Sequence, residues 1–162
     1  MIAGLFSACG DSKDNDGSDS AKLIIGGIGP LTGDYANYGT SVNNGAKLAV
    51  DEINAAGGVN GFTFELNFQD SKGDPDSAVA AYGMLMDAGM NVSLGTVLSG
   101  EMASVAAAGV EDGILMLSPS ASAKDSIGSN NAAFRVCFND PQQGTVSADF
   151  ISTHKLATKV AV

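Results

Sequence analysis

The sequence predicts an α/β fold, a parallel sheet flanked by helices on both faces. Three observations predict it. Apolar runs of strand length alternate with longer segments whose apolar residues recur at helical spacing. Glycine and proline punctuate the junctions between them. The resulting order, βαβαβαβ with short turns, is satisfied by parallel strands joined through crossover helices.

The first strand is expected over residues 23–29, an apolar run stopped by Pro30. Residues 30–37 form a loop, with Gly33 and Asp34 as turn formers. Val42, Ala46, Ala49, Ile53 and Ala56 then recur at helical spacing, which predicts a helix over 38–56, ended by Gly57-Gly58. Phe64, Leu66 and Phe68 alternate on one face of a second strand over 63–68. Asp74-Pro75 supplies an N-cap and a first-turn proline for a second helix, whose stripe is Val79, Tyr82, Met86 and Met90. A third strand follows over 92–97, an Ala-rich helix over 101–111 and a fourth strand over 114–117. Residues 133–138 read as extended, 141–154 as a helix, and 159–162 as the start of another strand. In a sheet of this kind ligands bind beyond the carboxyl ends of the strands, which directs attention to loops 29–38, 70–75, 97–102 and 118–123.

Composition narrows the function. The chain has 162 residues, 44% of them hydrophobic, enough for one domain with a core. Eighteen acidic against 8 basic side chains give a net charge of −10. That average field repels a phosphate backbone, and no Lys/Arg cluster offsets it, so nucleic acid is not an expected partner. Without Trp there is no carbohydrate platform of stacked indoles. Two cysteines and one histidine cannot assemble a zinc-type cluster, and His154 is expected as an exposed helical residue. Neither a metal nor another cofactor is expected. Gly27-Ile28-Gly29 hints at a dinucleotide-binding turn, but Thr32 occupies the third glycine position and Pro30 interrupts it. There is no GxSxG elbow or Walker A loop, and a single histidine limits any triad, so no enzyme is expected.

The chain opens with an apolar stretch to Ala8, followed by Cys9-Gly10. This resembles the end of a bacterial lipoprotein signal peptide, with small residues at Ser7 and Ala8 for cleavage and Cys9 as the lipidated residue. The true N-terminus is expected upstream. Residues 11–20 contain no apolar side chain, which suits a hydrated tether. The other reading of these twenty residues is a plain disordered tail.

From residue 22 onward an ordered set of segments resembles the type I periplasmic binding proteins of the leucine/isoleucine/valine-binding kind. The segments are Gly29-Pro30-Leu31-Thr32-Gly33 with Tyr38-Gly39; Gly45-Ala46 and the run from Ala49 to Gly61; Gln69-Asp70 with Asp74-Pro75; Gly95 with Ser99; the run from Gly113 to Ser122; and Phe134-Arg135 with Gln143-Gly144. The resemblance implies a Rossmann-like lobe of a two-lobe protein that closes on an amino acid and feeds an ABC permease. Full members are considerably longer. This chain would hold a lipoprotein remnant and tether (1–21), most of lobe one (22–138) and the start of lobe two (139–162). It would act outside the cytoplasm, as a monomer anchored to the membrane through a lipid on Cys9.

The resemblance also implies site residues. Ser99 and Ser122 match residues that hydrogen-bond the ligand α-carboxylate. Ser120 matches a position whose carbonyl takes the α-ammonium, and Tyr38 matches a tyrosine lining the side-chain pocket. Tyr35 and Val97 lie nearby. Read without the resemblance, Ser99 is equally a helix N-cap and Ser122 a turn residue. Some relatives carry a disulfide near the second and third strands. Here Ser71 and Leu98 stand in that neighbourhood, and Cys137 is expected as a buried free thiol. Two further readings are the sensing domain of a membrane receptor and a nucleotide-binding α/β enzyme.

Overall fold

The computed structural model describes residues 21–161. Nine elements follow in order: β1 (Ala21–Gly29), α1 (Ala36–Ala55), β2 (Phe62–Asp70), α2 (Pro75–Asp87), β3 (Val92–Gly95), α3 (Ser99–Ala108), β4 (Leu115–Ser118), β5 (Ala133–Arg135) and α4 (Asp140–Thr153). All five strands are parallel and lie in the order β2-β1-β3-β4-β5. The expected α/β class is therefore the observed one.

The strand order reverses at β1: the chain first steps outward to β2, then returns past β1 to β3. Right-handed crossovers consequently send α1 to one face of the sheet and α2 and α3 to the other. α2 packs on α3 and on β1 and β2, and α1 on β1 and β2. The main core lies under α2 and α3, built from Ile28, Ala81, Tyr82, Leu85, Met102, Val105 and Met116. Leu85 is fully buried and holds the centre of α2, whereas the predicted Val79 and Met86 are only half-buried. Burying a leucine of this kind stabilises the fold by about 1.5–3 kcal/mol.

Local chemistry sets the helix ends. The Asp74 side chain accepts from the Ser77 N–H at 2.8 Å, the expected N-cap, with a proline in the first turn. Asn139 and Gln142 form a reciprocal capping box at the start of α4. α3 stops at Gly109, two residues before its expected end. A Cβ at Gly109 would lie 2.4 Å from Met116 Cε and 2.6 Å from the Tyr82 hydroxyl, so the turn must carry glycine there. At Gly58, φ is +76° and a Cβ would sit 2.0 Å from the Phe62 carbonyl oxygen, which explains the abrupt end after α1.

Two expectations need correction. Residues 159–161 form no strand, because no described strand lies beside them to share hydrogen bonds. Cys137 is a free thiol among the described residues, but it is half-buried rather than buried, since β5 ends at Arg135 and the chain leaves the sheet. α4 buries none of its residues, and the His154 ring at its end stacks on Phe150 at 4.3 Å between centroids.

Candidate functional site

The reversal of strand order between β1 and β3 makes a topological switch point at the carboxyl edge of the sheet, where one loop leads to α1 and the next to α3, on opposite faces. Three of the four predicted residues meet at the β3 and β4 side of this edge. Ser99 is the first residue of α3. The N-cap position belongs to Leu98, which provides no side-chain cap, so Ser99 does not serve as the N-cap. The first helical bond runs from the Met102 N–H to the Leu98 carbonyl, which leaves the N–H groups of Ser99 and Gly100 without intrahelical acceptors. Together with the helix dipole they make this end of α3 electropositive.

Ser99 Oγ accepts from the Ala123 N–H at 3.2 Å. Its own hydrogen remains to donate. Ser120 Oγ donates to the Val97 carbonyl at 2.7 Å, tying the β4 loop to the β3 loop, while the Ser120 carbonyl accepts nothing from the described residues. Ser122 is half-buried, and its hydroxyl makes no hydrogen bond among the described residues. Beneath them the buried Ser118 hydroxyl donates to the Thr96 carbonyl at 2.7 Å and accepts from the Ala121 N–H at 3.0 Å. The arrangement offers hydroxyl and amide donors to an anion, with a carbonyl acceptor two residues from Ser122.

Tyr38 lies at the same edge, in the first turn of α1, 57% exposed and with no hydrogen bond joining it to the serines. It is kept there by Gly39, where a Cβ would fall 1.9 Å from the Pro30 carbonyl oxygen. Val97 is buried against Gly29, and Tyr35 lies over Gly73. Cys9 lies outside the described residues.

Sequence reasoning missed the residues that brace these loops. Asp70, at the end of β2, accepts from the Leu31 N–H at 2.8 Å, the Thr32 hydroxyl at 2.6 Å and the Lys72 N–H at 2.8 Å. Desolvation pushes the Asp70 carboxyl up, but these bonds outweigh it and hold the group below its usual range. Ser71 and Glu101 join the β2 loop to α3. Arg135 binds the β4 loop by three bonds to backbone carbonyls. The usable signal is position, since Asp70 and Arg135 end strands, Ser71 follows one and Glu101 opens a helix at the carboxyl edge, and Asp70 and Arg135 also stand in segments that carry the resemblance.

The glycines in the last part of β1 have a packing role. A Cβ at Gly27 would meet the Phe68 ring at 2.2 Å, and one at Gly29 would meet Val97 at 2.5 Å. They allow close side-chain packing across the sheet, and no helix begins until Ala36.

Residues 22–162 match the periplasmic binding protein family. Among curated relatives, the Leu/Ile/Val-binding protein homolog 3 of Brucella melitensis is 38% identical over 144 residues, 88% of this chain and 39% of that protein. The leucine-, isoleucine-, valine-, threonine- and alanine-binding protein of Pseudomonas aeruginosa is 33% identical over 146 residues, 90% of this chain and 39% of that protein. A branched-chain amino acid transporter substrate-binding protein of Streptococcus pneumoniae, solved in complex with isoleucine, superposes with a TM-score of 0.74 at 31% identity. That match covers 81% of this chain and 38% of that one. The chain thus spans about two-fifths of the length of these relatives. A five-stranded parallel sheet with its order reversed at β1, and a sequence match running from residue 22 to residue 162, establish that the chain belongs to the periplasmic binding protein family.

Proposed function

We propose that this chain is lobe one and the opening of lobe two of an extracytoplasmic solute-binding protein, one that captures a free branched-chain aliphatic amino acid and delivers it to an ABC permease. Ser99 and Ser122 donate to the α-carboxylate, the Ser120 carbonyl accepts from the α-ammonium, and Tyr38 lines the side-chain pocket. The observation that carries this reading is the pair of serine hydroxyls beside the uncapped start of α3. Ser99 has its acceptor side filled by Ala123 and its hydrogen free, and Ser122 has no protein partner among the described residues. A zwitterion requires donors at one end and an acceptor at the other. The relatives named above as Leu/Ile/Val-binding proteins support this ligand class.

In this reading residues 22–138 form lobe one and 139–162 begin lobe two. The chemistry is binding and hinge closure, with no covalent step. Cys9 carries a lipid, residues 11–20 act as a tether, and the monomer works at the outer face of the cell membrane.

A thermal-shift screen of the full-length protein against amino acids, sugars and nucleotides tests the proposal. Leucine, isoleucine or valine should stabilise it, by about 2.7 kcal/mol at a hundred times the dissociation constant. Stabilisation by a nucleotide or sugar, with none by any amino acid, would reject the ligand class.

A further inference from the structure

The β4 loop carries Ser122 and touches Ser99, yet its first residues, 119–123, adopt no helix or strand. Its shape must be imposed by other groups. The Arg135 guanidinium supplies much of that constraint: one nitrogen donates to the carbonyls of Ala121 at 3.0 Å and Ala123 at 2.7 Å, the other to Lys124 at 3.0 Å. The same two alanine carbonyls lie 3.1 and 2.9 Å from the buried Ser126 hydroxyl oxygen and share its single hydrogen. Among the described residues Arg135 has no carboxylate within ion-pair distance, so its donors are directed to the loop. A planar, forked cation suits this task, because fixed donors can gather carbonyls that point the same way. The far side of the loop is also fastened. The Asp140 N–H donates to the Ser122 carbonyl at 3.0 Å, from the first residue of α4.

We propose that Arg135 is a positioning residue of the ligand site. It gathers the carbonyls on either side of Ser122, fixes where the Ser122 hydroxyl stands, and holds the Ala123 N–H against Ser99. The proposal rests on the reading of Ser99 and Ser122 as ligand donors. It adds that their placement is set by a side chain on β5, the strand leading out of the sheet toward α4.

Two measurements on the full-length protein test it. The first is hydrogen exchange without ligand. Arg135→Gln should speed exchange within residues 120–126 and leave β1 to β3 unchanged, and Arg135→Lys should give an intermediate effect. The second is leucine titration in a double-mutant cycle. Arg135→Gln should weaken affinity roughly tenfold to a hundredfold in the parent. It should cost much less when Ser122→Ala is already present, because the residue acts through that serine. A purely structural role would leave the two losses additive. Unchanged exchange over 120–126, or additive losses, overturns the proposal. If the parent binds no leucine, the amino-acid reading fails, and the exchange experiment still decides the role of Arg135. If Arg135→Gln does not fold, Arg135→Lys carries both measurements.

Discussion

The Ser71 hydroxyl donates to Glu101 Oε1 at 2.7 Å, while Glu101 Oε2 is buried with no hydrogen-bond partner among the described residues. This pair joins the loop after β2 to the first turn of α3. It also places a carboxyl, 1% exposed, two residues from the proposed anion donor Ser99. A full negative charge there would oppose a ligand carboxylate. Desolvation by burial raises the Glu101 pKa, and the charges of Asp74 and Asp70 add to the rise; the Ser71 hydroxyl and the Leu98 N–H pull the other way without cancelling it.

A stability prediction follows from the sign of that shift. Above the ordinary value of 4.5 and up to the raised one, the folded state binds more protons at Glu101 than the unfolded state. Stability therefore falls as pH rises through this window. Glu101→Gln removes the dependence. Its melting temperature relative to the parent should climb from acid pH toward neutrality and then level off. A difference that stays flat with pH would mean that the Glu101 carboxyl binds protons alike in the folded and unfolded states.

The serines at the edge should separate into two kinds. Ser122→Ala removes a hydroxyl with no protein partner among the described residues, so stability should hold while amino-acid affinity drops by about 1–3 kcal/mol. Ser99→Ala should lose a similar amount of affinity and about 1 kcal/mol of stability, because the Ala123 N–H loses its acceptor. Calorimetric titration and thermal melts of the full-length variants read both quantities. Unchanged affinity in both variants would remove the carboxylate assignment.

How far the sequence reveals this structure depends on the range of the interaction concerned. β1, α1 and β2 follow from periodicity, and Asp74 from cap chemistry, since these are short-range signals. The boundary errors lie where tertiary contacts decide. β3 ends at Gly95 rather than at residue 97, and β5 ends at Arg135, which pairs with the last residue of β4. Leu85 was passed over because a helix of mostly small apolar residues offers several stripes, and packing against α3 selects one. The four proposed ligand-site residues rest on a resemblance, not on any local pattern. The bracing role of Arg135 is illegible for a further reason: its partners are backbone carbonyls 11 to 14 residues away, which leave no side-chain signature in the sequence.

Glycines within one helix offer a controlled comparison. Gly39 and Gly45 both lie in α1. A methyl group at Gly39 would fall 1.9 Å from a backbone oxygen of Pro30, whereas one at Gly45 meets nothing within 4 Å. Gly39→Ala should therefore cost roughly 1–3 kcal/mol, through overpacking that backbone must yield to relieve. Gly45→Ala should add about 0.5–1 kcal/mol through helix propensity. Chemical denaturation of the two variants checks the ordering. Equal effects would mean that α1 slides freely over Pro30. Amino-acid affinity should fall with Gly39→Ala as well, because Tyr38 travels with the displaced turn.

The face of the sheet carrying α1 is less well covered than the other. A concavity of about 330 Å³ opens there, lined by Ile25, Val50, Ile53, Phe64, Leu66 and Leu94 among others, and Ile53 is 38% exposed. The buried Ser93 hydroxyl also borders it, without a hydrogen-bond partner among the described residues. Apolar surface left open in this way attracts hydrophobic dyes and other copies of the chain. The 162-residue chain prepared alone should bind an anilinonaphthalene dye and self-associate as concentration rises. Ile53→Lys places a charge at the mouth of the concavity, at a helix position that accepts lysine readily. It should lower both dye fluorescence and the sedimentation-derived mass, with stability within about 0.5 kcal/mol of the parent, as for a surface exchange. Dye binding that is indifferent to Ile53 would place the sticky surface elsewhere, on the exposed Val146 and Phe150 side of α4. Val146→Lys would then be the variant that reduces it.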